Sequence, residues 1–300
     1  MDTAKRIFAL GFFDGVHLGH QVLLKECSTL AKQLGCETAA ITFEKHPHSL
    51  FTEQVPSLLS TLQDRQRLLM QYGMNRVYAY PVTKEVMGKP WETFLEELLE
   101  CGAAGFVCGD DFRFGHKGTG NAQKLRRFCE VRQIPCIVVP EQTLNGKRIS
   151  STLIRSRIEV GDMESATRLL GHAHVLTGTV VHGHQLGRKL GFPTANLLLP
   201  ENVTVPKFGV YACYAVIDGV RYPAVTNVGT RPTVAGTGIT VEPWILDFHG
   251  DLYDRQILLE FYRFLRPEIK FPDLASLQQE ILCNAEETRA YLKSREDRNI

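Results

Sequence analysis

The sequence predicts an α/β protein of two domains: a parallel sheet covered by helices, then a small antiparallel barrel with a closing helix. Three observations predict it. In the first half, short apolar runs alternate with helical patterns. In the second half, short strand-like runs succeed one another with turn residues between them. A length of 300 residues suits about two domains.

The first-half elements follow in order. "RIFAL" (Arg6–Leu10) is an apolar run that ends at glycine. Leu23, Cys27, Leu30 and Leu34 then keep helical spacing, with Gly35 placed to cap the C-terminus. "TAAITF" (38–43) is a second strand. Ser60 with Gln63 reads as a capping box opening a helix toward Gly73. "RVYAY" (Arg76–Tyr80) is a third strand, and Pro90 opens a helix through "WETFLEELLE" that stops at Gly102. "GFVCG" (105–109) is a fourth strand, 122–133 a helix, and "PCIVVP" (135–140) a fifth strand. Apolar strands alternating with helices require a parallel sheet buried on both faces.

The second half begins near "LLGHAHVL" (169–176), which sets expected domains of 1–171 and 172–300. Strands are expected at 177–181 and 210–217. Asp218–Gly219 is a two-residue hairpin signal, answered by "VRYPAVTNVG". Strands at 241–248 and 256–264 follow. "LASLQQEILCNAEETRAYL" (274–292) is an amphipathic helix presenting Leu277, Ile281, Ala285 and Thr288 on one face.

Composition narrows the function. A 44% hydrophobic, 22% charged chain is an ordinary globular one, and a net charge of +1 gives no broad cationic field for nucleic acid. No apolar run is long enough to span a bilayer, and "MDTAKRIFALGFFDG" shows no secretory cleavage pattern. The eight cysteines form no C-x-x-C pair and sit mostly in apolar segments. Reduced, buried thiols in a cytoplasmic protein are expected.

Ligands of open parallel sheets bind beyond the carboxyl ends of the strands. "GFFDGVHLGH" (11–20), "EKHPHSLF" (44–51), "DDFRFGHKGTG" (110–120) and "RISSTLIR" (148–155) all follow strands. They should meet at one rim. A helix start offers free N–H groups to phosphate, and Arg148 and Arg155 flank one here. Glycines 11, 15 and 19 permit close backbone approach to a nucleotide. Two histidines around a phosphate site, without an evident Ser–His–Asp set, suit phosphoryl-type transfer. Neither G-x-x-x-x-G-K-[ST] nor G-x-G-x-x-G is present, so neither a P-loop nor a dinucleotide fingerprint applies.

"GFFDGVHLGH" resembles the H-x-G-H signature of nucleotidyltransferases, in the form found in bacterial FAD synthetases. "FEKHPHSLF", "GDDFRFGHKGTG" and "ISSTLIR" resemble the next three motifs of that family, in order. "GTVVHGHQLGRKLGFPTANL" (178–197), "GVYA", "NVGTRPT", "VEPWILDFHGDLYD" and "FLRPEIKF" resemble the riboflavin kinase module. The resemblance implies a Rossmann-like nucleotidyltransferase domain and a six-stranded Greek-key barrel. It implies two reactions on ATP. Riboflavin is phosphorylated to FMN, and FMN is adenylylated to FAD with release of pyrophosphate.

It also implies roles. Glu242 matches the kinase base, and His17 and His20 would stabilise charge on the α-phosphate. Gly11, Phe12, Asp14, Gly15, His46, Asp111, Arg148, Ser151, Thr152 and Arg155 fall in the nucleotide motifs of the first module. Gly183, Gly187, Arg188, Gly191 and Pro193 belong to the kinase phosphate loop, and Thr194 and Asn196 match its Mg²⁺ positions. ATP, riboflavin and FMN are the partners implied, with transient self-association left open and neither nucleic acid nor membrane. The first module departs from the family pattern at Lys45, Gly118 and Leu153. Those departures keep open an alternative, a riboflavin kinase with a vestigial or flavin-sensing first domain.

Plainer readings stand beside these. His17 and His20 could be helix-start residues, and Asp14 could serve its own loop. Thr194 and Asn196 could be turn residues after Pro193. His48 is expected to be incidental. Glu242 is the firmer assignment, because an isolated carboxylate in an apolar strand is costly unless used or paired. A class I aminoacyl-tRNA synthetase would share H-x-G-H, but no K-M-S-K-S-like segment is present.

Overall fold

The computed structural model describes residues 4–183, 191–233 and 236–297. The chain divides into two compact units at 151/152.

The first unit runs β1 (Arg6–Leu10), α1 (Leu18–Leu34), β2 (Glu37–Phe43), α2 (Leu62–Gln71), β3 (Arg76–Tyr80), α3 (Lys84–Met87), α4 (Trp91–Glu100), β4 (Ala103–Gly109), β5 (Arg113–Phe114), β6 (Gly120–Asn121), α5 (Ala122–Arg132), β7 (Cys136–Val139), β8 (Thr143–Leu144) and β9 (Lys147–Arg148). Five strands form an all-parallel sheet in the order β3-β2-β1-β4-β7. All of β1 is buried, as a central strand covered on both faces must be. Phe8, Leu10, Phe106 and Cys108 pack there with Leu95, Leu125 and Phe128. Gly35 takes the left-handed conformation at φ 64 and closes α1, as its spacing predicts.

The second unit opens with α6 (Ser151–Glu159), which begins at the division itself, and α7 (Met163–Leu170). Then come β10 (His174–Val181), β11 (Asn196–Leu198), β12 (Gly209–Ile217), β13 (Val220–Thr233), β14 (Gly236–Ile245), β15 (Gln256–Arg266) and α8 (Leu274–Glu296). The six strands close into an antiparallel barrel in the order β10-β11-β14-β13-β12-β15. β11 lies beside β14 at the end of the β12–β13–β14 meander, which is the Greek-key arrangement. Asp218 and Gly219, both at positive φ, turn β12 into β13. α8 packs on β12 and β13, burying Ala285, Thr288 and Leu292.

Several expectations are corrected. Ser60 does not cap α2; Thr61 does, accepting the Asp64 N–H at 3.0 Å. Ser60 is buried and its hydroxyl accepts from Gly15 N–H at 3.0 Å, so it is committed to a distant loop. The strand expected to reach residue 248 stops at Ile245, because Asp247 turns the chain at φ 62. All eight cysteines are free, but only Cys27, Cys108, Cys129 and Cys213 are buried, while Cys101 and Cys283 are exposed. On α8, Leu277 and Ile281 are only half-buried, since they face a cavity rather than packed core.

Candidate active sites

After β1 the chain turns tightly. Phe13, Gly15 and Val16 all have positive φ, at 59°, 75° and 41°. For a β-branched valine this conformation is costly and must be imposed from outside. Asp14 Oδ1 accepts the Leu59 and Ser60 N–H groups at 2.9 and 3.2 Å. The Ser151 hydroxyl donates to the Asp14 carbonyl at 3.1 Å, and Gln21 Nε2 donates to the Val16 carbonyl at 2.9 Å.

The turn delivers two histidines to the start of α1. His17 is the N-cap, and its Nδ1 accepts the His20 N–H at 3.4 Å. A neutral ring that accepts on Nδ1 carries its proton on Nε2, leaving that N–H to donate. The rings of His17 and His20 stack with centroids 3.6 Å apart and planes 15° from parallel. Burial first, then the charges of His17 and Arg65, hold the His20 pKa well below 6.5, so this ring is neutral at pH 7.

Both rings line a cavity of about 210 Å³ with Gly109, Asp111, Arg148 and Ser151. Arg148 is already paired there, with Asp111 at 2.5 Å and Glu141 at 2.7 Å. A phosphate reaching Arg148 must displace those half-exposed carboxylates. At the same ends of the strands a larger cavity, about 630 Å³, is walled by Phe43, Phe51, Tyr80, Phe112 and Phe114 with Gly11 at one side. Sequence reasoning missed this aromatic chamber. Its only signal was aromatic residues at the ends of β2 and β3 and within "DDFRFG".

The other expected residues of the first module are placed as follows. Phe12, Asp14 and Gly15 build the turn through their backbone and carboxylate bonds. His46 caps a short turn, accepting the His48 N–H at 3.2 Å, with the Phe12 ring 5.3 Å away edge-on. His48 lines the 630 Å³ cavity. On α6, Thr152 is exposed and Arg155 half-buried. Lys45 is exposed, and Gly118 sits at φ 65 beside the aromatic chamber.

In the barrel unit, Thr194 borders two cavities. One, about 340 Å³, lies against Pro193, Phe248, Asp251 and Tyr253. The other, about 350 Å³, holds Glu242, Asn227, Trp244, Arg266 and Glu268. Glu242 and Trp244 lie two apart on β14, so both face the second cavity while Val241 and Ile245 are buried. Asn196 opens β11, paired with Val181, and its amide lies against Gly183, where a Cβ would stand 2.2 Å from Nδ2. Only glycine leaves room there. Gly191 is at φ 85. Gly187 and Arg188 lie outside the described residues.

Sequence reasoning also left Asn227, Arg266, Glu268 and Asn284 without roles. Asn227 Nδ2 donates to Glu268 Oε1 at 3.3 Å. A Cβ on Gly229 would stand 2.3 Å from that oxygen, so any larger residue there turns the Glu268 carboxylate aside. Arg266 is fixed to α8 through Asn284 Oδ1 at 3.0 Å and Glu280 at 2.9 Å.

A parallel sheet carrying a stacked H-x-G-H pair, joined to a closed barrel with two cavities that meet at Thr194, defines a two-module protein of nucleotide and phosphoryl transfer. The family model described as FAD synthetase matches residues 1–153, and that described as riboflavin kinase matches 170–292. The chain belongs to the family of bifunctional FAD synthetases that carry a riboflavin kinase module. It is 34% identical to a bifunctional riboflavin kinase/FMN adenylyltransferase of Listeria monocytogenes over 97% of this chain and 94% of that one. With the Bacillus subtilis relative of the same name the identity is 32% over 98% and 94%. A crystal structure described as a macrolide-efflux protein from Streptococcus pneumoniae has a TM-score of 0.86 at 28% identity, covering 96% of this chain and 95% of that one.

Proposed function

We infer that the chain phosphorylates riboflavin to FMN in its barrel unit and adenylylates FMN to FAD in its sheet unit. The observation that carries this reading is a repeated pairing. Each unit holds two cavities close together: in the first, 210 Å³ with His17, His20 and Arg148 and a mostly apolar 630 Å³ at the same strand ends; in the second, 340 and 350 Å³, both mixing polar and apolar groups and meeting at Thr194. A flavin phosphate is itself an apolar ring system with a charged end.

In the kinase reaction the riboflavin 5′-hydroxyl oxygen attacks the γ-phosphorus of ATP and ADP leaves. Glu242 accepts the hydroxyl proton. The family implies Mg²⁺, and the residues fit it: the Thr194 hydroxyl and the Asn196 amide carbonyl are the hard oxygen donors that this ion takes. Bound there, Mg²⁺ would neutralise phosphate charge. Gly183 and Gly191 frame the loop assigned to the phosphates.

In the adenylyl reaction a phosphate oxygen of FMN attacks the α-phosphorus of a second ATP and pyrophosphate leaves. His17 donates through Nε2–H, and His20 adds a second donor, where charge is redistributed on that phosphorus. Ser151, Thr152 and Arg155 are assigned to the departing phosphates, and Arg148 joins them on exchanging its carboxylates. We assign residues 1–171 to this activity and 172–300 to the kinase. By this division α6 and α7 serve the first activity while being grouped with the barrel unit. The reactions are placed in the cytoplasm, where ATP is available.

The test is incubation of the purified chain with riboflavin, ATP and Mg²⁺, followed by separation of the flavins. FMN and then FAD with stoichiometric pyrophosphate are expected. FMN without FAD would leave a kinase with a vestigial first unit, and neither product would overturn the reading.

A further inference from the structure

Arg65 is fully buried on α2, with 0% exposure, and belongs to none of the motifs that carry the family resemblance. Its Nη1 donates to the Phe12 carbonyl and to Thr42 Oγ1, each at 3.0 Å. The Thr42 hydroxyl donates to the same carbonyl at 2.7 Å. The guanidinium carbon lies 4.4 Å from the centre of the Phe12 ring. Nε and Nη2 are buried and have no hydrogen-bond partner among the described residues.

This is an expensive way to fill space. An apolar side chain would occupy the position without desolvating a cation or leaving donors unmade. The neighbouring Asp14 carboxylate offsets part of that cost. What the cation accomplishes is local: it fixes the carbonyl immediately before the strained residues Phe13 and Val16. Strained backbone persists only where its surroundings over-determine it. Four residues after Phe13 comes His17, and the orientation of both rings depends on that turn.

We propose that Arg65 is a positioning residue for adenylyl transfer: from behind the turn it holds the Phe12 carbonyl, and so the strained backbone that delivers His17 and His20 to the 210 Å³ cavity. The inference rests on the adenylyltransferase reading of that cavity. Arg65 touches no substrate. Its loss therefore acts on the rate of the chemical step, because a displacement of the donors by about 1 Å can cost on the order of 100-fold.

The experiment is steady-state FAD synthesis from FMN and ATP by the full chain and by Arg65→Met, Arg65→Lys and Thr42→Val. Near-UV circular dichroism reports folding, and riboflavin phosphorylation by the other unit reports the amount of intact chain. Arg65→Met should lower kcat about 100-fold with KM for both substrates changed less than about threefold. Arg65→Lys, which keeps the cation and one donor, should recover most of the loss, and Thr42→Val should lower kcat a few-fold. A residue that merely fills the core would give no such rescue. If Arg65→Met fails to fold, Arg65→Lys and Thr42→Val decide. Wild-type kcat in the folded variants, or a loss confined to KM, would overturn the proposal and leave the functional reading intact. Absence of FAD synthesis by the wild type would take down both.

Discussion

His17 and His20 share one hydrogen bond and one ring stack: the His20 N–H enters His17 Nδ1 at 3.4 Å while the rings lie 3.6 Å apart. His20 is held neutral there, so the stack does not set two cations face to face. Alanine at either position should lower kcat for FAD formation by about 100–1,000-fold, the usual loss for one transition-state donor. His20→Gln should retain more activity than His20→Ala, since its amide still donates. Riboflavin phosphorylation should be unchanged. Because the His20 pKa is held well below 6.5, the kcat–pH profile should show no limb near 6.5 that His20→Gln removes.

Glu242→Gln keeps the shape of the side chain and removes the proton acceptor. FMN formation should fall by about 100–10,000-fold, while FAD formation from supplied FMN persists. Parallel assays of the two reactions on one preparation check this. Near-wild-type FMN formation would remove Glu242 from the mechanism.

Asn196→Ala removes one of the two oxygen donors assigned to Mg²⁺. It should raise the Mg²⁺ concentration needed for half-maximal kinase activity about tenfold or more, in line with losses at ion-coordinating positions. Gly183→Ala should resemble it, because the added Cβ meets the Asn196 amide at 2.2 Å. A magnesium titration of both variants is the measurement. Unchanged titrations would return Asn196 to a purely structural place in β11.

His174 makes the barrel pH-sensitive. It is buried, and its Nε2–H donates to the Thr204 carbonyl at 3.0 Å. Nδ1 is buried without a partner among the described residues. Desolvation therefore lowers its pKa to about 4, against 6.5 for a free histidine. Between those values the unfolded chain binds the extra proton and the folded chain does not, so stability is lost as pH falls from 6.5 toward 4. One pKa unit is about 1.4 kcal/mol, which makes the loss about 2 kcal/mol at pH 5. Denaturant unfolding of the barrel at pH 7 and pH 5 should show this difference in the wild type and a smaller one in His174→Gln.

Gly229→Ala tests the second chamber. The new Cβ would stand 2.3 Å from Glu268 Oε1, so the carboxylate must turn aside and its 3.3 Å bond with Asn227 is weakened. KM for riboflavin should rise by up to about tenfold, the equivalent of about 1.4 kcal/mol and of one hydrogen bond. Unchanged KM would place the flavin elsewhere.

The sequence by itself determined the alternation of strands and helices, the Asp218–Gly219 hairpin, the Gly35 cap and the motif residues His17, His20, Thr194, Asn196 and Glu242. These are legible because they are local. Side-chain periodicity, turn conformation and short motif spacing are properties of a few consecutive residues. Tertiary structure alone decided which distant polar groups meet. Ser60 looked like a cap and serves Gly15, 45 positions away. Arg65 reads as an ordinary helical arginine until the fold sets it against Phe12, 53 positions away. Glu268 and Asn227 meet across 41 residues, and the aromatic chamber gathers side chains from four separate segments between Phe43 and Phe114. Such partners are chosen by strand order and by how helices pack on the sheet. No local pattern in the chain encodes that register, so the supports of the sites emerge only when the units close.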